Sequence, residues 1–195
     1  MPEYLKYIPS KSRLYCLQLS FKYDFAFKLK NDRSSKLGDF KRDFKRQQFV
    51  ISVNRGLNPY QFLITFIHEL AHLKVAINYP RFVKAHGKEW KESFKELLAP
   101  VLEEDIFPQP LLDVLKIHMN NPKAAAGSDP KLWQALRAYN ISNTKNTLND
   151  LLDGARFTFK TKHFTRVNKK RTRILCKEDK TGKFYLIQGI AEVEV

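Results

Sequence analysis

The sequence predicts an α+β fold. Three observations carry that expectation: an apolar helical run from Pro59 to Asn78, short β-branched and aromatic runs ahead of it, and a final segment from Arg156 to Val195 that alternates between strand and turn patterns. With 43% hydrophobic residues in a chain of 195, there is enough apolar material for a buried core, and wholesale disorder is excluded.

Each element follows from local chemistry. Lys11 to Tyr23 reads as a helix because Leu14, Leu17 and Phe21 recur at a helical period after Pro9. Phe25–Lys30, Lys36–Lys41 and Phe49–Val53 read as strands, the last closed by Asn54-Arg55-Gly56. Connections this short predict a three-stranded antiparallel meander. Asn58 as N-cap and Pro59 at the first helical position, where its missing N–H costs nothing, start the next helix, and Pro80 stops it. That helix is apolar on nearly every side (Phe62, Leu63, Ile64, Phe66, Ile67, Leu70), so it is expected to be central and buried.

Lys88 to Leu98 forms a second helix with Trp90, Phe94, Leu97 and Leu98 inward, and Leu111 to Met119 a third. Residues 120–130 read as a linker, followed by short helices over Pro130–Tyr139 and Thr144–Leu152 that Gly154 closes. Strand patterns then cover Arg156–Lys160, Phe164–Val167, Arg171–Cys176, Lys183–Gln188 and Ile190–Val195, with Lys180-Thr181-Gly182 as a hairpin turn. The predicted organisation is a domain over 1–121, a linker with short helices over 122–154, and a small basic β module over 155–195.

Lys and Arg number 35 against 20 Asp and Glu, a formal charge of +15. Residues 1–48 hold 12 basic and 5 acidic side chains, residues 49–154 hold 12 and 11, and residues 155–195 hold 11 and 4. The two ends therefore carry the cationic character, which suits polyanionic partners and says nothing of fold. Two cysteines, Cys16 and Cys176, exclude a disulfide framework and a four-cysteine zinc ribbon. The start lacks a secretory pattern, and no run approaches the roughly 18 apolar residues of a membrane span. A cytoplasmic protein without membrane partners is the expectation, nucleoid-associated if its basic surface binds DNA.

On the apolar helix stands His68-Glu69-Leu70-Ala71-His72, an H-E-x-x-H. A spacing of four puts both imidazoles on one helical face, one turn apart, where both reach one metal ion. Glu69 projects roughly 100° around the axis, placed to touch water at the metal without ligating it. The pattern points to zinc hydrolysis, in which a Lewis acid brings a water's pKa to roughly 7 and polarises a carbonyl. Glu69 takes the water's proton and passes it to the leaving amine. By ordinary residue usage such a motif arises by chance in on the order of one chain in a few hundred, and here it falls within a capped helix. Two His and a Glu are also costly to bury there without partners.

A catalytic zinc needs a third protein ligand and an open position. His86, at the start of the next helix, is the first candidate, and Glu89, Glu92 or Glu96 on that helix are the alternatives. His118 and His163 lie in no motif and read as structural.

Lys36-Leu37-Gly38-Asp39-Phe40, Ile51-Ser52-Val53-Asn54, Leu57-Asn58-Pro59, the His68–His72 motif and His86-Gly87-Lys88-Glu89-Trp90 together resemble the SprT-like zinc metallopeptidases, the Spartan-related family, over about Tyr4 to Leu98. The resemblance implies His68, His72 and His86 as ligands of one catalytic zinc and Glu69 as the acid/base. It also implies a zincin-like helix–three-strand–helix–helix unit with an open cleft, acting on protein substrates. The layout with a third His six residues after the second is not met, since Asn78 stands there. Many members carry a cysteine-rich zinc ribbon after the catalytic unit; this tail keeps only Cys176 and looks like a ribbon without its metal.

Lys169, Lys170, Arg171 and Arg173 form the densest cationic cluster, with Phe157, Phe159, Phe164, Phe184 and Tyr185 nearby. Alternation assigns those rings to the core of the β module, whereas exposed ones would stack on bases. The cations are open to two readings, phosphate binding and plain solvation; the family resemblance favours DNA. Three functional classes stand at this point: a zinc peptidase, acting on DNA-associated proteins if its basic surface binds DNA; a nucleic-acid-binding protein whose zinc site is structural or vestigial; and a structural or interaction protein, which Glu69 argues against because a purely structural site has no need of that carboxylate.

Overall fold

Residues 2–33, 36–79, 83–124, 128–140, 146–171 and 173–195 are described in the computed structural model, and they fall into two units, Met1–Ile141 and Ser142–Val195. The first opens with two 3-10 turns, Glu3–Tyr7 and Ser10–Ser12, leading into helix α1 (Arg13–Lys22). The hydroxyl of Tyr4 donates to the Cys16 carbonyl at 3.0 Å, and its ring stacks on Phe66, fastening this start to the core.

Strands β1 (Ala26–Lys30), β2 (Gly38–Asp43) and β3 (Gln48–Asn54) form one sheet. Its order is β1-β3-β2, with β1 parallel and β2 antiparallel to β3. The expected antiparallel meander is thus corrected to a mixed sheet. A meander would have put β2 in the middle, yet β2 carries the exposed Lys41 and Arg42, whereas every residue of β3 from Val50 to Asn54 is buried. The strand that is buried on both faces takes the centre.

Helix α2 (Pro59–Asn78) packs across this sheet and begins where the sequence places it: the Asn58 side chain accepts from the Gln61 N–H at 3.0 Å, with Pro59 at the first turn. Twelve of its residues are buried, Glu69 and Lys74 among them. Helix α3 (Lys88–Leu98) packs on α2, fixed by the buried Trp90, Phe94, Leu97 and Leu98 and by an ion pair between Lys74 and Glu96.

Helices α4 (Gln109–Asn120) and α5 (Pro130–Arg137) pack on each other and complete the first core. This corrects the expected boundary at 121, since α5 is no linker helix. Leu132 and Leu136 are fully buried, and the buried Asn58 amide donates to the Leu136 carbonyl at 2.9 Å and to Asn140 Oδ1 at 2.7 Å. Asp129 caps α5 and pairs with His118 at 2.7 Å. Residues 120–130, of which 125–127 lie outside the described residues, read as a break because the role of Asp129, capping α5 and pairing with His118, is tertiary.

In the second unit β4 (Asn146–Thr147) replaces the expected helix over Thr144–Leu152, whose first two residues lie outside the described ones. Asp150 accepts from the Thr147 N–H at 2.8 Å and from its hydroxyl at 2.6 Å, a local turn that competes with helix. Strands β5 (Arg156–Phe159), β6 (Lys162–Lys170), β7 (Arg173–Glu178) and β8 (Phe184–Gln188) form an antiparallel sheet in that order, and β9 (Glu192–Val193) pairs with β4. Leu148, Phe157, Phe164, Ile174, Cys176, Ile187 and Val193 form its own core. Of the five aromatics expected inside, Phe157 and Phe164 are buried and Phe159 is half-buried, but Phe184 and Tyr185 are exposed. No helix of the described residues is long and apolar enough to cross a membrane.

Truncating Leu132 to Ala is expected to destabilise the first unit by about 2–5 kcal/mol, the usual cost of emptying a fully buried leucine site. Denaturant unfolding followed by tryptophan fluorescence measures it; a change under about 0.5 kcal/mol, the scale of a surface substitution, would return α5 to the status of a linker.

Candidate metal centre

His68 and His72 stand one turn apart on the face of α2 that meets α3, and the turn before α3 brings in His86. The Nε2 atoms of His72 and His86 are 3.0 Å apart, and those of His86 and His68 are 3.3 Å apart. Among the described residues these three imidazoles are the group of metal-ligating side chains whose ligand atoms converge, all within 4.8 Å of one another. No carboxylate of α3 joins them: Glu92 lies 3.9 Å from Lys88, Glu96 pairs with Lys74, and Glu89 lies against Gly87. The third position therefore goes to His86.

Hydrogen bonding alone does not satisfy this arrangement. A neutral imidazole nitrogen either donates one hydrogen or offers one lone pair. His86 Nε2 has two imidazole neighbours and can donate to only one of them, so lone pairs are left facing a common point. A cation there resolves the conflict. Ligands at 2.0–2.1 Å from a tetrahedral ion are about 3.3 Å from each other, and the separations of His86 Nε2 from the other two, 3.0 and 3.3 Å, fit that size.

The rings are held in the metal-ready protonation state. Burial, then the neighbouring His72 and His86, push the His68 imidazole down to about 3. Burial and His86 bring His72 to about 4, and burial lowers His86 as well. Neutral imidazole is the form that ligates. The indole of Trp90, four residues beyond His86 on α3, backs all three rings with centroid separations of 4.6, 5.6 and 4.8 Å to His68, His72 and His86. Phe40 of β2 stacks on His72 at 6.3 Å.

Glu69 faces β2. It is 7% exposed and accepts a hydrogen bond from the Phe40 N–H. Burial, reinforced by Asp39, pushes its carboxyl up to about 8, opposed by Lys36, Arg33 and the Phe40 N–H. A bound cation beside it would favour the carboxylate. Gly38 makes the room: a Cβ at that position would stand 2.6 Å from Glu69 Oε1 and 2.7 Å from Thr65 Cγ2. A glycine within a strand signals close approach of another group, and here that group is Glu69.

The remaining predicted residues lie elsewhere. His118 is buried against Asp129, and His163 contacts the Thr158 hydroxyl at 3.2 Å. Lys169 and Lys170 end β6, Arg171 turns the chain with φ of 54°, and Arg173 begins β7 opposite Lys170; all four are exposed. Sequence reasoning assigned no site role to Gly38, to Trp90, or to the charges of Arg33, Lys36 and Asp39 around Glu69. The signals available were a glycine inside a strand pattern and an i, i+4 spacing of His86 and Trp90. No protein-family model, curated protein or solved structure matches the chain.

Replacing His86 with Ala is expected to weaken Zn2+ binding by on the order of 100-fold or more, as one of three ligands is lost, while Glu69→Gln leaves it within a few-fold. Calorimetric titration against a competing chelator measures both. Equal affinity in wild type and His86→Ala would remove His86 from the site.

Proposed function

We propose that the protein is a zinc-dependent metallopeptidase of the SprT-like kind, its first unit a zincin-like catalytic unit. The observation that carries this reading is the pairing of a convergent three-histidine site with a buried, non-ligating carboxylate on the adjacent helical face. His68, His72 and His86 would hold the zinc, which would supply Lewis acidity and a water acidified to near neutrality.

The chain's own residues do the rest. Glu69 accepts the proton of the attacking water and delivers it to the departing amine, help worth ~10²–10⁴ in rate. The Phe40 N–H orients that carboxyl, and the space left by Gly38 admits it. Trp90 and Phe40 brace the imidazoles so that their nitrogens stay directed at one point. β2 ends the sheet beside Glu69, and the backbone along its edge, apart from the Phe40 N–H that Glu69 takes, suits an extended polypeptide that adds by hydrogen bonds. A purely structural zinc site would gain nothing from burying Glu69, which favours hydrolysis over a vestigial site.

The isosteric change Glu69→Gln is expected to retain zinc and fold yet lower kcat for an unfolded protein substrate by ~10²–10⁴. Comparable turnover in the variant would defeat the peptidase assignment and leave the structural-zinc reading.

The second unit, read as a ribbon-like module that has lost its cysteines, is proposed to bind nucleic acid. Its outward sheet face pairs Lys170 with Arg173, Lys177 with the exposed Phe184, and Arg173 with Gln188. Cations interleaved with an exposed ring suit a single-stranded backbone and its bases. Neutralising Lys169, Lys170, Arg171 and Arg173 is expected to lower the slope of log affinity against log salt by about 3 for a single-stranded oligonucleotide. An unchanged slope in fluorescence anisotropy titrations would remove the cluster from any such interface.

A further inference from the structure

A recess of about 450 Å³ opens beside His86, formed by α3 and the turn that precedes it. Its walls carry Lys84, Lys88, Lys91 and Lys95 against one carboxylate, Glu92. Three of these cations recur along α3 at 88, 91 and 95, a spacing that sets them in a row of roughly 10 Å on one helical face.

Two of the cations are positioned in advance. Lys91 donates to Asn121 Oδ1 at 2.7 Å and Lys95 to the Asn120 carbonyl at 2.9 Å, both at the end of α4. An ammonium has three donors, so each keeps others for a ligand. An anion joining such anchored side chains costs less rotamer entropy than one that must immobilise free lysines. Lysines crowded into one recess also repel one another, and negative charge among them relieves that repulsion.

His86 belongs both to this recess and to the metal triad. A chain lying across the triad therefore continues into the recess with the side chains next to the bond at the metal. We propose that the recess is a substrate subsite that selects Asp and Glu side chains flanking the bond to be cut; this rests on the peptidase reading given above. A polypeptide fits better than a polynucleotide because the lysines are gathered at a pocket contiguous with the triad, on one turn and one helix. A phosphodiester backbone is better served by a cationic track running on past it.

The test uses three quenched-fluorescent peptides that share a central sequence and differ in flanks of three glutamates, three glutamines or three lysines. They are compared on zinc-loaded wild type and on the double variant Lys84→Gln/Lys88→Gln, whose altered side chains are both exposed. The expected result is a kcat/KM for the glutamate-flanked peptide on the order of tenfold above that of the glutamine-flanked one at low salt. The ratio should fall toward one at high salt and in the double variant. Equal kcat/KM across the three peptides overturns the subsite while leaving the peptidase reading in place.

If none of the peptides is cut, the peptidase reading itself fails, and binding decides the subsite. Tighter binding of the glutamate-flanked peptide to zinc-loaded Glu69→Gln protein, lost when Lys84 and Lys88 are neutralised, supports it; equal Kd values overturn it. An oligothymidylate that binds through Lys84 and Lys88 while the peptides show no preference assigns the recess to phosphates and overturns it too.

Discussion

Two half-buried imidazoles and a buried carboxylate on a largely apolar helix set the terms for the rest of the first unit. α2 fills the centre of the core, and ionisable groups placed there must be neutral, hydrogen-bonded or matched by opposite charge. The chain meets that constraint on two sides. Toward α3, burial keeps His68 and His72 uncharged and His86 completes a nest of lone pairs fit for a cation. Toward the sheet, Glu69 is received by the Phe40 N–H and the space at Gly38. Chemistry and packing are here one arrangement seen from its two faces.

The supporting elements make sense in that light. β3, buried on both faces, is the central strand, and this leaves the more exposed β2 at the edge, alongside Glu69. α3 contributes His86 just before its first residue and Trp90 in its first turn, so one helix start both supplies a candidate ligand and braces the other two. The pair of Lys74 with Glu96 ties α2 to α3 further along, one cation of the core neutralised by a surface carboxylate. α5 closes on the N-cap of α2 through Asn58, so the capping residue that starts the central helix also fixes the last helix of the unit.

Much of this was legible in the residues. The limits of α2 and α3 match expectation because their signals are local: Asn58-Pro59 at one start, and periodic apolar faces in both. The H-E-x-x-H was legible because helical spacing is rigid geometry, whereas His86 stood beside Glu89, Glu92 and Glu96 as a candidate because a ligand from the next helix depends on tertiary packing. The sheet order was not, since strand periodicity says which residues face inward and nothing about which strand lies beside which. Nor was the place of α5, whose tie to Asn58 spans 78 residues of chain. The helix expected over Thr144–Leu152 gave way to a turn in which Asp150 holds Thr147, a contest that propensity alone does not decide. The lysines of α3 form no sequence motif, and the recess beside His86 is what groups them.

The central claim is that three imidazoles grip one ion and leave a place for water. X-ray absorption at the zinc edge, on the zinc-loaded protein, tests it most directly. The account predicts three imidazole nitrogens and one oxygen at about 2.0–2.1 Å. A shell of four protein ligands, or of only two imidazoles in wild type, would contradict it.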